Sequence, residues 1–178
     1  MEYTFHYPSP LGEIFLAGDG EHLTGLWLEG QKYFASTLPR ETSDRELPVF
    51  AQTVQWLERY FAGKEPGPLP PLAPRGSLFR RQVWEILLTI PRGETLTYGA
   101  IAARMAALRG RESMSAQAVG GAVAHNPISI LIPCHRVVGA SGSLTGYAGG
   151  VDKKIALLRL EGADLSPFFI PGQRHGAL

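Results

Sequence analysis

Between residues 48 and 63, apolar side chains recur at Val49, Phe50, Val54, Leu57, Tyr60 and Phe61. That three-and-four spacing predicts one buried helical face, and Gly63 stops the run. Upstream, "GEIFLAGDGEHLTGLWLEG" reads as strands turning at Gly18-Asp19-Gly20. Downstream the pattern is helical. Phe79, Val83, Trp84, Ile86, Leu87 and Ile90 follow a candidate cap at Ser77, and Pro91-Arg92-Gly93 ends that helix. Thr97 caps a second helix that stops near Gly110, and Ser115 caps a third that ends before Asn126-Pro127. Between the halves lies "KEPGPLPPLAPRG", whose five prolines and two glycines cannot continue a helix or a central strand. It reads as a linker. The expected class is α/β in the α+β sense: a small sheet-plus-helix domain over 1–74, linker included, and a mostly helical domain over 75–178.

The second and third helices of the C-terminal half, short and joined by a turn, suggest a helix-turn-helix. The third is made of small residues: Ala116, Ala118, Gly120, Gly121, Ala122 and Ala124. A helical glycine costs about 1 kcal/mol relative to alanine, so its use implies that something approaches the backbone closely. That partner is either a neighbouring helix or a narrow groove such as the DNA minor groove.

Charge sharpens the picture. Residues 1–74 carry 5 Lys/Arg against 10 Asp/Glu, whereas 75–178 carry 12 against 6, so a net charge of +1 conceals a basic C-terminal half. Such a half suits a polyanion. The 178 residues are 44% hydrophobic and 19% charged, a globular composition with no run near the ~20 apolar residues of a membrane span. The first residues lack the regions of a signal peptide. A single cysteine excludes an internal disulfide and fits a reducing cytoplasm. His6, His22, His125, His135 and His175 show no ligand spacing, so no metal is expected.

The one cysteine lies in "ILIPCHRVVG", between a proline and His135. A thiol after an apolar run is ordinarily a small buried hydrophobe. An adjacent histidine changes that, because a thiol needs a base or a positive neighbour to react near neutral pH. Neighbours in an extended segment point to opposite sides, however, so His135 would need a bridging water, with an acid orienting its far nitrogen.

The surrounding residues resemble the O6-alkylguanine-DNA alkyltransferases, or methylated-DNA–protein-cysteine methyltransferases. The similarity rests on "NPISILIPCHRVVG" together with "FRRQVWEILLTIPRGETLTYGAIA", "AVGGAVAHNP", "GSLTGYAGGVDKK" and "LLRLEG", in the family's order from Phe79 to Gly162. The N-terminal half resembles the family's ribonuclease H-like companion domain only in length and strand pattern. The resemblance implies a winged-helix-like catalytic domain that flips an alkylated guanine out of double-stranded DNA. It then moves the alkyl group from O6 to its own cysteine, once per molecule, as a monomer and without cofactor or metal; O4 of thymine is a second candidate substrate.

On this resemblance Cys134 is the nucleophile, His135 the base acting through water, and Glu161 the group that orients it. Asn126 is the hinge before the active-site segment, and Tyr98 rotates the nucleotide and supplies a proton as the base leaves. The DNA side comprises Tyr98, Ala116, Gln117, Ala118, Gly120 and Arg136; the guanine pocket comprises Val137, Tyr147, Ala148 and Gly149. Three features depart from the family: Gln117 stands where an arginine is common, Ala148 where some members have serine, and residues 109–112 lengthen the preceding turn. Two rival functions remain at this point. One is a lesion-binding module of the kind that lacks the cysteine, and the other is a thiol hydrolase with no role for DNA.

Overall fold

Polar and apolar positions alternate from Glu2 to Tyr7, Ile14 to Ala17 form a continuous apolar run, and the two stretches build a hairpin. Strand β1 (Glu2–Ser9) pairs antiparallel with β2 (Gly12–Gly18), and β2 pairs antiparallel with the fully buried β3 (Leu23–Leu28). A short β4 (Thr42–Asp44) adds in parallel to β1, giving the order β3-β2-β1-β4. The β2–β3 turn falls where expected, because the Asp19 carboxylate accepts the Glu21 and His22 amides at 2.9 and 2.8 Å. Helix α1 (Pro48–Phe61) starts on a proline, which needs no amide partner there, and buries Val49, Phe50, Trp56, Leu57 and Tyr60.

The computed structural model describes residues 1–173 and 178, which divide into two units: Met1–Arg75 with Pro127–Leu131, and Gly76–Asn126 with Ile132–Leu178. Among the described residues no helix is long and apolar enough to cross a membrane.

Two features of the first unit differ from the sequence reading. The proline-rich stretch is not a free linker. The Leu23 amide donates to the Pro71 carbonyl at 2.8 Å, and the Ala73 amide returns a bond to Leu23 at 2.9 Å. Prolines lack an N–H but keep an acceptor, so this stretch can line a strand edge. Secondly, Pro127–Leu131, read as part of the C-terminal domain, belongs to the first unit. The Leu26 amide donates to Pro127 at 2.8 Å, and the Ser129 amide donates to Leu26 at 3.0 Å. Ser129 also donates its hydroxyl to the Gln31 side chain at 3.3 Å. Within this insertion Ile130 adopts φ +70°, a left-handed conformation that strains a β-branched residue by about 1–3 kcal/mol.

In the second unit, α2 (Leu78–Leu87), α3 (Tyr98–Leu108) and α4 (Ala116–Ala124) begin at Ser77, Thr97 and Ser115, each of whose hydroxyls accepts the amide three residues on. All three caps were expected. Trp84 ties α2 to α4 by donating its indole N–H to the Ala122 carbonyl at 2.9 Å, and its ring leaves no room for a side chain at Gly76. A two-stranded parallel sheet then pairs β5 (Leu96–Thr97) with β6 (Val137–Val138). Helix α5 (Val151–Leu160) closes the unit over a core of Val138, Leu144, Ile155 and Leu158.

Candidate active site

Cys134 does not sit in extended chain. Residues Cys134–Arg136 form a 3-10 turn, held by the Arg136 amide on the Pro133 carbonyl at 3.0 Å, while the Cys134 amide donates to Ile132 at 2.8 Å. The argument that neighbouring side chains point to opposite faces therefore does not apply here. Asn126, just past the end of α4, fixes the turn from the other side. Its amide nitrogen donates to the Ile132 carbonyl at 2.8 Å and to the Cys134 sulfur at 3.2 Å. Burial pushes the thiol pKa up, and the Asn126 contact and the charge of Lys154 push it back down without cancelling the rise.

His135 is fully buried. Its Nε2–H donates to Glu161 Oε1 at 2.6 Å, and its Nδ1 is buried with no hydrogen-bond partner. Burial lowers the imidazole pKa despite the carboxylate, so the ring is neutral at pH 7 and Nδ1 carries a free lone pair. Burial alone would raise the Glu161 pKa, but hydrogen bonds from His135 and Arg136 outweigh it and hold the carboxyl well below its ordinary range.

Arg136, expected to contact DNA, places Nε and Nη2 on the two Glu161 oxygens at 2.9 Å each and Nη1 on the Ile90 carbonyl at 2.6 Å. Three of its five N–H donors are thus taken up by the carboxylate bound to His135 and by the Ile90 carbonyl.

Tyr98 opens α3 and donates its hydroxyl to the Thr145 carbonyl at 3.2 Å. Burial, and then the charge of Cys134, push its pKa up to about 12, so the phenol keeps its proton. A Cβ at Gly146, which has φ +78°, would come within 3.0 Å of that hydroxyl. Of the expected pocket residues, Val137 and Tyr147 are buried, and Ala148 and Gly149 are partly so. On α4, Ala116, Gln117 and Ala118 are exposed, and Gly120 faces the Tyr98 ring at an ordinary contact distance.

The sequence reading missed Lys154. It is fully buried on α5 and donates its ammonium to the Val137 carbonyl and, at 3.3 Å, to the Thr145 carbonyl. A signal was present: Lys154 lies in register with Val151, Ile155 and Leu158 on an otherwise apolar helical face. Among the described residues no three His, Cys, Asp or Glu side chains gather as a metal-ligand set; His175 lies outside them.

Comparison with known proteins bears on this arrangement over nearly the whole chain. Residues 1–68 match the family model "6-O-methylguanine DNA methyltransferase, ribonuclease-like domain", and residues 78–163 match "6-O-methylguanine DNA methyltransferase, DNA binding domain". A methylated-DNA--protein-cysteine methyltransferase of Haemophilus influenzae is 41% identical over 160 residues, covering 89% of this chain and 86% of its own. One of Mycobacterium tuberculosis is 46% identical over 153 residues, covering 86% and 88%. The crystal structure of Mycobacterium tuberculosis OGT in complex with DNA superposes with a TM-score of 0.77 at 42% identity, covering 94% of each chain. The chain belongs to the 6-O-methylguanine DNA methyltransferase family.

Proposed function

We infer that this protein repairs DNA by moving the alkyl group of O6-alkylguanine irreversibly onto Cys134. The observation that carries the reading is the line Cys134, His135, Glu161, Arg136. In one turn a buried thiol is followed by a neutral imidazole whose proton-accepting nitrogen is open and whose other nitrogen is bound to a carboxylate. The thiol proton passes through a water to His135 Nδ1, and Glu161 stabilises the imidazolium that forms. The thiolate attacks the alkyl carbon, the S–C bond forms, and the C–O6 bond breaks with its electron pair going to the base. Tyr98 donates its proton to the departing guanine, and the imidazolium gives up the thiol proton to water, which returns one proton to the Tyr98 phenolate. A thioether and an ordinary guanine result, with atoms and charge balanced.

The reaction requires an extruded base, and unstacking costs a few kcal/mol. Helix α4 presents the exposed Ala116, Gln117 and Ala118 for entry into the minor groove, and Tyr98 stands between that helix and the pocket of Val137, Tyr147, Ala148 and Gly149. The protein works as a monomer in the cytoplasm. A duplex carrying one isotopically labelled O6-methylguanine tests the reading. Label should reach the Cys134 peptide and stop at one methyl per molecule. Binding without transfer would make the protein a lesion-binding module, and repeated turnover would refute a thioether end point.

A further inference from the structure

Lys154 is a buried cation that the reaction just described does not use. Taking an ammonium out of water costs several kcal/mol unless a counter-charge is near. Among the described residues no carboxylate pairs with it. Glu161, the acid of this site, is occupied by His135 and Arg136. Lys154 acts electrostatically on the Cys134 thiol and on the His135 imidazole, and the thiol acts on it in return. Its hydrogen bonds are equally pointed. The Val137 carbonyl directly follows the turn that carries the nucleophile, and the Thr145 carbonyl precedes Gly146 and Tyr147 and also accepts the Tyr98 hydroxyl.

We propose that Lys154 is a positioning residue for the transfer: it fastens the Val137 and Thr145 carbonyls that shape the guanine pocket and so holds a positive charge next to the turn that carries Cys134. When Tyr98 turns its proton toward a bound base, the Thr145 carbonyl keeps Lys154 as its donor, so the pocket holds its shape through the step. The pocket half of this proposal rests on the function inferred above; the electrostatic half does not. Burial lowers the Lys154 pKa to about 8, with Cys134 opposing the shift, so the ammonium remains mostly charged at pH 7. The titratable and charged groups around this cluster are Cys134, His135, Arg136, Glu161 and Tyr98.

The test reads Cys134 by its alkylation rate with iodoacetamide across pH, without DNA. Lys154→Gln keeps an amide for the carbonyls and removes the charge, whereas Lys154→Met removes both. Each should lower the rate below about pH 8, where Lys154 is charged, with an approximately tenfold loss at pH 7. Free O6-benzylguanine should half-saturate at a higher concentration in Lys154→Met than in Lys154→Gln. An unmoved profile in the folded Gln variant overturns the electrostatic role, since a purely structural lysine would change only stability. Equal half-saturation in the two variants overturns the fastening role. If neither variant folds, the wild type decides: carbon NMR of the lysine side chains should show the Lys154 midpoint falling once Cys134 is capped with iodoacetamide, and an unchanged midpoint refutes the coupling. Failure of the function reading would appear separately, as no label reaching Cys134 from an alkylated duplex.

Discussion

Glu161 makes the residue scale measurable through pH. Its carboxyl is held below its ordinary range and His135 is held below its own, so both disfavour acid. The signs agree. A histidine kept neutral in the fold costs stability as pH falls below about 6.5, where the unfolded chain gains the proton first. A carboxylate kept ionised contributes stability above about 4.3 that is lost as pH falls further. Melting temperature should therefore decline in two stages on acidification, and Glu161→Gln should abolish the lower one. The same variant leaves Arg136 without its carboxylate, which should cost about 3 kcal/mol at neutral pH and slow transfer at least tenfold by freeing the imidazole, a small part of what a positioned base contributes. A denaturation series and a single-turnover assay check the two claims. The contact between His135 and Glu161 was legible because the resemblance to a family pattern is position by position. The contact between Arg136 and Glu161 was not, because an arginine bound to phosphate and one bound to carboxylate look alike in a sequence. Only the geometry around Ile90 and Glu161 separates them.

At the scale of elements, the helices with side-chain caps were readable, since Ser77, Thr97 and Ser115 precede clear apolar periods. Strands β4, β5 and β6 were not: two or three residues carry no period, and each of these strands exists only because a distant partner supplies its hydrogen bonds. Helix α5 was missed because its buried face is interrupted by a lysine. In α4 the expectation of a close approach finds a sharper form. Gly121 is exposed, and a Cβ built there would meet nothing within 4 Å. Packing within the chain thus does not require this glycine. Gly121→Ala should stabilise the protein by up to about 1 kcal/mol and, if DNA is what approaches, weaken duplex binding several-fold. A thermal melt and a titration with duplex read the two effects, and unchanged affinity would remove this face of α4 from the interface.

For the whole molecule, the change of composition near residue 75 was visible, but the return of Pro127–Leu131 to the first unit was not. Nothing in "NPISI" announces a partner at Leu26; the pairing uses backbone groups, which every residue has. That pairing joins positions about a hundred residues apart, the kind of contact that slows folding because a long loop must close first. A chain ending at residue 75 should then melt broadly and at lower denaturant than the same unit in the full protein; an equally sharp transition would show that the insertion contributes little. The order of synthesis gives this arrangement its meaning. On the ribosome the first unit waits, incomplete, until residue 131 has emerged, and the reactive thiol follows only three residues later. The thiol proposed to accept the alkyl group is therefore made only after every segment of the first unit has been made.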